Sequence, residues 1–175
     1  MKHYYQNIDG FFNFSDIYTE MVNKFTNGAH FVEIGSWMGK SSIYMGIEII
    51  NSKKNIKFDC IDNWKYGNGD IIYIKFLKNI KTISNRINHY RLDSVKASTL
   101  YQDSSLDFIY IDASHEYNDV KDDLYHWYPK LKKGGIIAGH DYHNRFSGLK
   151  KAVNEFFSDK EFEIDYRSYS WVHKK

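Results

Sequence analysis

The chain has little of what breaks or staples a fold: one proline, Pro129, and one cysteine, Cys60, in 175 residues. A lone thiol excludes an intramolecular disulfide framework and suits a reducing compartment, so a cytoplasmic location is expected. Cys60 lies in an apolar strand pattern, which reads as packing. No apolar run approaches the roughly 18 residues that a bilayer span needs. The polar, aromatic start Met1-Lys2-His3-Tyr4-Tyr5 lacks the apolar segment of a signal peptide, and no membrane partner is expected. Neither charge sign dominates: the net charge is +2 and the lysines are scattered. That gives no electrostatic case for a nucleic-acid partner. Repeats, low-complexity segments and linker-like stretches are also missing. Residues 1–175 are therefore expected to form a single domain, with residues 1–28 as an N-terminal helical extension.

Aromatics, by contrast, are abundant, at 18% with fifteen tyrosines. Five of them crowd the N-terminus: Tyr4, Tyr5, Phe11, Phe12 and Phe14. Three readings stay open for these: a cover over a site, a homodimer contact, or core packing. Ser15 or Asp16 can cap a helix whose face reads Ile17, Met21, Phe25. From there the pattern alternates. Strands are expected at about 30–34, 56–61, 87–92, 106–111 and 136–138. Helices are expected from 40, at about 70–84, 94–101 and 147–158, and along Tyr117, Val120, Leu124 and Leu131. Gly134-Gly135 reads as the turn into the fifth strand. The tail, about 162–166 and 169–173, reads as two strands around a short turn. Nearly continuous apolar strands separated by helices indicate a parallel sheet covered on both faces. The expected fold is α/β: a Rossmann-like, doubly wound, mostly parallel seven-stranded sheet with a C-terminal antiparallel hairpin.

Residues 32–42, Val-Glu-Ile-Gly-Ser-Trp-Met-Gly-Lys-Ser-Ser, carry the strongest local signal. A strand enters a turn with two glycines, Gly35 and Gly39, and a helix follows, the usual place for a nucleotide-like ligand. Two readings compete, a loop that wraps S-adenosylmethionine and a phosphate-binding P-loop ending in Gly39-Lys40-Ser41. The P-loop needs its first glycine at position 34, which is Ile34, so the loop is one residue short. Glu33 would also repel a phosphate. Further along, Asp62, Asp93, Asp112 and Asp141 repeat the placement of Glu33, each following an apolar run. One such residue could be a helix cap or turn former. Five at five successive strand ends are harder to attribute to capping, and ligands in such sheets bind beyond the carboxyl ends of the strands.

Taken in order, Glu33-Ile34-Gly35-Ser36 with Gly39-Lys40-Ser41-Ser42, Ile61-Asp62-Asn63-Trp64, Leu92-Asp93-Ser94, Ile111-Asp112-Ala113-Ser114-His115-Glu116-Tyr117, Asp122-Asp123-Leu124 and Lys133 to Tyr142 form a specific combination. From about residue 28 to the end, the chain resembles class I S-adenosylmethionine-dependent methyltransferases. It looks most like the macrocin-type sugar O-methyltransferases and more distantly like catechol O-methyltransferase. The resemblance implies S-adenosylmethionine as cofactor and a small-molecule acceptor bearing a hydroxyl. It places Gly35, Ser36, Trp37, Gly39, Ser41 and Ser42 around the methionine end, with Glu33 accepting from the ammonium group. It also implies Asp62 on the ribose hydroxyls, Asn63 and Trp64 near the adenine, and Asp93 and Ser94 bonded to it. A helix cap is the competing reading of Asp93-Ser94.

The resemblance further implies Mg²⁺ or another divalent metal held near the acceptor by Asp112 and Asp141, with His140 as the third ligand. An imidazole there suits a transition metal better than Mg²⁺. His115 stands three residues past Asp112, and an imidazole with a pKa near 6.5 is suited to act as a general base at neutral pH. The competing reading of His115 is a helix-start residue bonded to Glu116 or Asp119. The catalytic pair is expected to be His115 and Asp112. Other function classes stay open: a P-loop-like phosphotransferase, an iron oxygenase using His115, His140 and Asp141, and a non-catalytic S-adenosylmethionine-binding module.

Overall fold

The computed structural model describes residues 1–175. Seven strands form: β1 (His30–Ile34), β2 (Lys57–Asp62), β3 (Asn88–Arg91), β4 (Leu106–Ile111), β5 (Leu131–Gly139), β6 (Glu163–Asp165) and β7 (Ser170–Lys174). They make one sheet in the order β3-β2-β1-β4-β5-β7-β6. The first five are parallel, and β7 runs antiparallel to both β5 and β6. This is the expected doubly wound sheet with a C-terminal hairpin. No helix is long and apolar enough to cross a membrane.

Six α-helices cover the two faces: α1 (Ser15–Lys24), α2 (Lys40–Ser52), α3 (Gly69–Ile80), α4 (Ser94–Ser98), α5 (Tyr117–Trp127) and α6 (Ser147–Phe156). Alternation along each strand divides the core between the faces. In β1, Phe31 joins the layer under α1, α2 and α3, while Val32 and Ile34 join the layer under α4, α5 and α6. Glu33 points to the same side as Phe31, which sets it beneath α1 and α2.

The N-terminal aromatics divide. Phe14 is buried and stacks on Tyr110 at 4.5 Å, and Tyr4, Tyr5 and Phe12 pack against the same core. Phe11 alone is left largely exposed.

Several boundaries differ from the sequence expectation, each for a local reason. β5 begins at Leu131, not 136, and Gly134-Gly135 lie inside it. Leu106 pairs with Leu131 but Phe108 pairs with Ile136, so the glycines accommodate a bulge. Leu131 therefore belongs to the sheet, not to the helix before it. Phe25 is the residue that ends α1, with extended backbone. The third helix gives way at Lys81–Ile83 to a 3-10 turn, and α4 is only five residues long.

Candidate active site at the carboxyl ends of the strands

The β1–α2 turn is built around Glu33, which is 1% exposed. Tyr18 donates to its Oε1 at 2.8 Å, and Ser36 donates to Oε2 at 2.8 Å. Ser42 also donates to Oε2. Burial pushes the carboxyl's pKa up, against the hydrogen bonds of Ser42, Ser41, Ser36 and Tyr18. These contacts tie the turn to α1 and α2, so Glu33 acts on the loop's shape. Gly35 has φ +93, and a Cβ there would lie 1.9 Å from the backbone oxygen of Asp112. A Cβ on Gly39 would lie 3.0 Å from the Phe76 ring. Both positions therefore need glycine for close packing within the protein: Gly35 against the Asp112 backbone and Gly39 against Phe76. Lys40 donates to the Gly10 carbonyl at 2.8 Å, a direction that gives no phosphate cradle.

Asp62 organises the neighbouring loop. Its Oδ2 accepts from the Trp37 N–H at 2.8 Å and its Oδ1 from the Trp64 N–H at 2.7 Å. Both tryptophans have positive φ, 42° and 48°. Burial raises the Asp62 carboxyl against the backbone N–H groups of Trp64 and Trp37. Each oxygen keeps acceptor capacity for a diol. Trp64 itself is 2% exposed, packs 4.8 Å from Phe76 and donates to the Trp37 carbonyl at 2.7 Å. It is a core residue, and the more exposed indole is Trp37.

Asp93 stands at the start of α4 without a side-chain cap bond. It accepts from Lys65 at 3.0 Å and from Asn63 at 3.0 Å, and Lys65 holds its carboxyl below the usual range. The Ser94 hydroxyl turns inward and accepts from Trp127 Nε1 at 2.8 Å. These contacts hold the loops after β2 and β3 together.

The second constellation follows β4 and β5. One donor atom each from Asp112, His115 and Asp141 lie within 4.8 Å of one another. His115 Nε2 is 2.7 Å from Asp141 Oδ2, and its ring stacks on Phe146 at 4.0 Å. The partner of His115 is thus Asp141, not Glu116 or Asp119; Asp119 is taken by Ser114. Asp141 holds a left-handed backbone at φ +60, the sort of strain that persists where surroundings over-determine it. Burial alone would raise its carboxyl, but bonds from His115 and His140 hold it well below the usual range.

His140 sits behind this group, 4% exposed. Its Nδ1 lies 3.3 Å from Asp141 Oδ1 and 3.6 Å from Asp112 Oδ1. Its Nε2 donates to Asn13 Oδ1 at 2.9 Å. Burial would lower its pKa, but Asp112 and Asp141 outweigh that and raise it to about 9. The donor atoms that come together are those of Asp112, His115 and Asp141, and His140 lies behind the two carboxylates.

Sequence reading missed Asn13 and Tyr18, which reach His140 and Glu33 from the N-terminal segment. The one available signal was Asn13 itself, a polar residue set among Phe11, Phe12 and Phe14.

A family model described as a methyltransferase domain matches residues 32–142. Among solved structures, the O-methyltransferase NovP superposes with a TM-score of 0.72 at 16% identity, over 92% of this chain and 78% of that one. CalS11, a TDP-rhamnose 3'-O-methyltransferase of calicheamicin biosynthesis, gives 0.67 at 13% identity over 91% and 76%. A protein of Corynebacterium glutamicum gives 0.65 at 15% identity over 91% and 79%. At such identities the likeness is one of fold. Uncharacterized protein y4gI of Sinorhizobium fredii is 40% identical over 48 residues, which is 27% of this chain. This chain spans only 5% of that relative's length. The family match runs across more than half of the sequence, on the strand order of the class I S-adenosylmethionine-dependent fold, and the chain belongs to the methyltransferase-domain family.

Proposed function

We propose that the protein transfers the sulfonium methyl of S-adenosylmethionine to a hydroxyl of a small-molecule or sugar acceptor. The observation that carries this is the 2.7 Å His115–Asp141 pair, set beside Asp112 at the carboxyl ends of β4 and β5. Asp141 is ionised and accepts the Nε2 proton, which leaves the lone pair of His115 on Nδ1. That nitrogen takes the acceptor's proton as its oxygen attacks the methyl carbon. The C–O bond forms, the C–S bond breaks, and its electron pair returns to sulfur. Asp62 would accept from the ribose hydroxyls at the other end of the site. The sulfonium is already activated, so alignment and proton removal are the protein's main tasks. S-Adenosylhomocysteine binding by calorimetry tests the cofactor half. His115→Ala tests the base: a loss of about 10²–10⁴ in kcat is expected, and undiminished turnover at saturating acceptor would remove His115 from that role.

A second reading rests on the same three donors. Asp112, His115 and Asp141 form a set of two carboxylates and one imidazole suited to a divalent cation. Such a cation would supply Lewis-acid lowering of the hydroxyl's pKa. With Nε2 as a ligand, the His115 proton would move to Nδ1, so ligand and base roles exclude one another. Activity that survives exhaustive chelation assigns the base role, and activity restored only by added metal assigns the ligand role.

A further inference from the structure

Beside the candidate site, the exposed flank of α6 borders a cavity of about 360 Å³ lined by Asn144, Ser147, Lys150, Lys151, Asn154 and Glu155. The cations here are under-compensated. Lys150 donates to Asn144 Oδ1 at 2.7 Å and lies 5.1 Å over the Tyr142 ring, with no carboxylate partner. Lys121 and Lys151 converge on a single ring, that of Tyr117, at 5.6 and 4.8 Å. Arg145 lies 5.6 Å over Phe146, again with no carboxylate partner. Glu155, the carboxylate in the lining, already accepts from Tyr117 Oη at 2.5 Å and faces Lys151 at 3.9 Å. Ammonium groups gathered on one tyrosine repel one another, and each has donors to spare.

The groove adjoins the chemistry. Phe146, the residue before α6, stacks on His115 at 4.0 Å. A Cβ on Gly148 would lie 3.1 Å from the His115 carbonyl, so the first turn of α6 packs on the loop that carries the base. Lys150 is four residues beyond Phe146, about 6 Å along the helix axis. Lys150 thus stands about one helical turn beyond the ring that stacks on His115.

We infer that this groove binds a phosphate or diphosphate group carried by the methyl acceptor, so that the acceptor is a phosphorylated hydroxyl compound. The inference rests on the methyl-transfer reading for the word acceptor, while the anion site stands on its own geometry. Phosphate oxygens would accept from Lys150 and Lys151, with Lys121 and Arg145 adding charge from the rim.

The test titrates the full chain with inorganic pyrophosphate at low salt. Saturable binding is expected, weakened about three- to fivefold in Lys150→Gln and in Lys121→Gln, as for exposed ion pairs. It should be unchanged in Lys24→Gln, on the remote helix α1. No saturable binding, or equal loss in all three variants, overturns the site. Parallel titration with S-adenosylhomocysteine separates the two readings. Cofactor binding without pyrophosphate binding defeats the groove alone, and the reverse defeats the methyl-transfer reading alone. Glucose 1-phosphate should bind more tightly than inorganic phosphate when the anion belongs to an acceptor. Equal binding of the two would assign a free anion instead and overturn the acceptor's identity.

Discussion

His140 Nε2 donates to the side-chain oxygen of Asn13 at 2.9 Å, across 127 positions of sequence. Through it the N-terminal segment is tied to the carboxyl end of the sheet, behind Asp112 and Asp141. The exposed Phe11 ring stands 5.8 Å from the same imidazole, so the segment borders the candidate site as well as packing on the core.

Replacing Asn13 by Ala leaves a buried charged donor without its partner. The expected loss is about 1.5–3 kcal/mol of stability, since bonds to charged groups fall in that range. Urea unfolding of Asn13→Ala against the parent chain measures it. A change below a few tenths would mean that solvent replaces the amide without cost.

Gly35 and Gly67 both have positive φ, +93 and +63, but differ in their surroundings. A Cβ on Gly35 meets the Asp112 carbonyl at 1.9 Å, whereas nothing lies within 4 Å of one on Gly67. Gly67→Ala should cost about 1–2 kcal/mol, the left-handed penalty alone. Gly35→Ala should cost more than about 4 kcal/mol or prevent folding, because backbone must move. Equal melting temperatures for the two variants would contradict the close β1–β4 approach.

Asp62→Ala removes the acceptor for two backbone N–H groups and the proposed ribose contact together. S-Adenosylhomocysteine affinity is expected to fall by about tenfold or more, equivalent to about 1.4 kcal/mol. Calorimetry on a variant that still unfolds cooperatively reads this directly, and retained affinity would place the ribose elsewhere.

Asp123 supplies a pH dependence remote from the reacting groups. Burial raises its carboxyl to about 7, against the Ser94 hydrogen bond. An unfolded aspartate titrates near about 3.9. Between those values the folded chain holds a proton that the unfolded chain has released. Its contribution is complete below the unfolded pKa and is lost as pH rises through the folded one. Denaturant melts of Asp123→Asn should show a flatter stability profile than the parent between about pH 4 and 7. An unchanged slope would return Asp123 to an ordinary carboxylate.

The strand-end acids, the doubly wound order and the terminal hairpin were legible because they rest on local periodicity. Apolar runs, their spacing and the residue that follows each are properties of short segments. The orientation of side chains at those ends was not legible. That Tyr73 and Phe76 enclose Trp64 depends on α3 folding over the loop, which no local pattern shows. His140 reads as a metal ligand and His115 as a base until β4 and β5 set one behind Asp141 and the other before it. That Gly35 is pressed against the Asp112 backbone could not be read from the turn's own sequence.

By itself the sequence determined the element types, their alternation and the set of acids at the carboxyl ends of the sheet, since these follow from residue patterns a few positions long. Only the tertiary structure decided which partners those groups have within the protein. Glu33 accepts from Tyr18, Ser36 and Ser42, and His140 meets Asn13, Asp112 and Asp141. His115, Asp112 and Asp141 are left together with partial exposure. The physical reason is that desolvation and hydrogen-bond satisfaction depend on chain segments up to 127 residues apart.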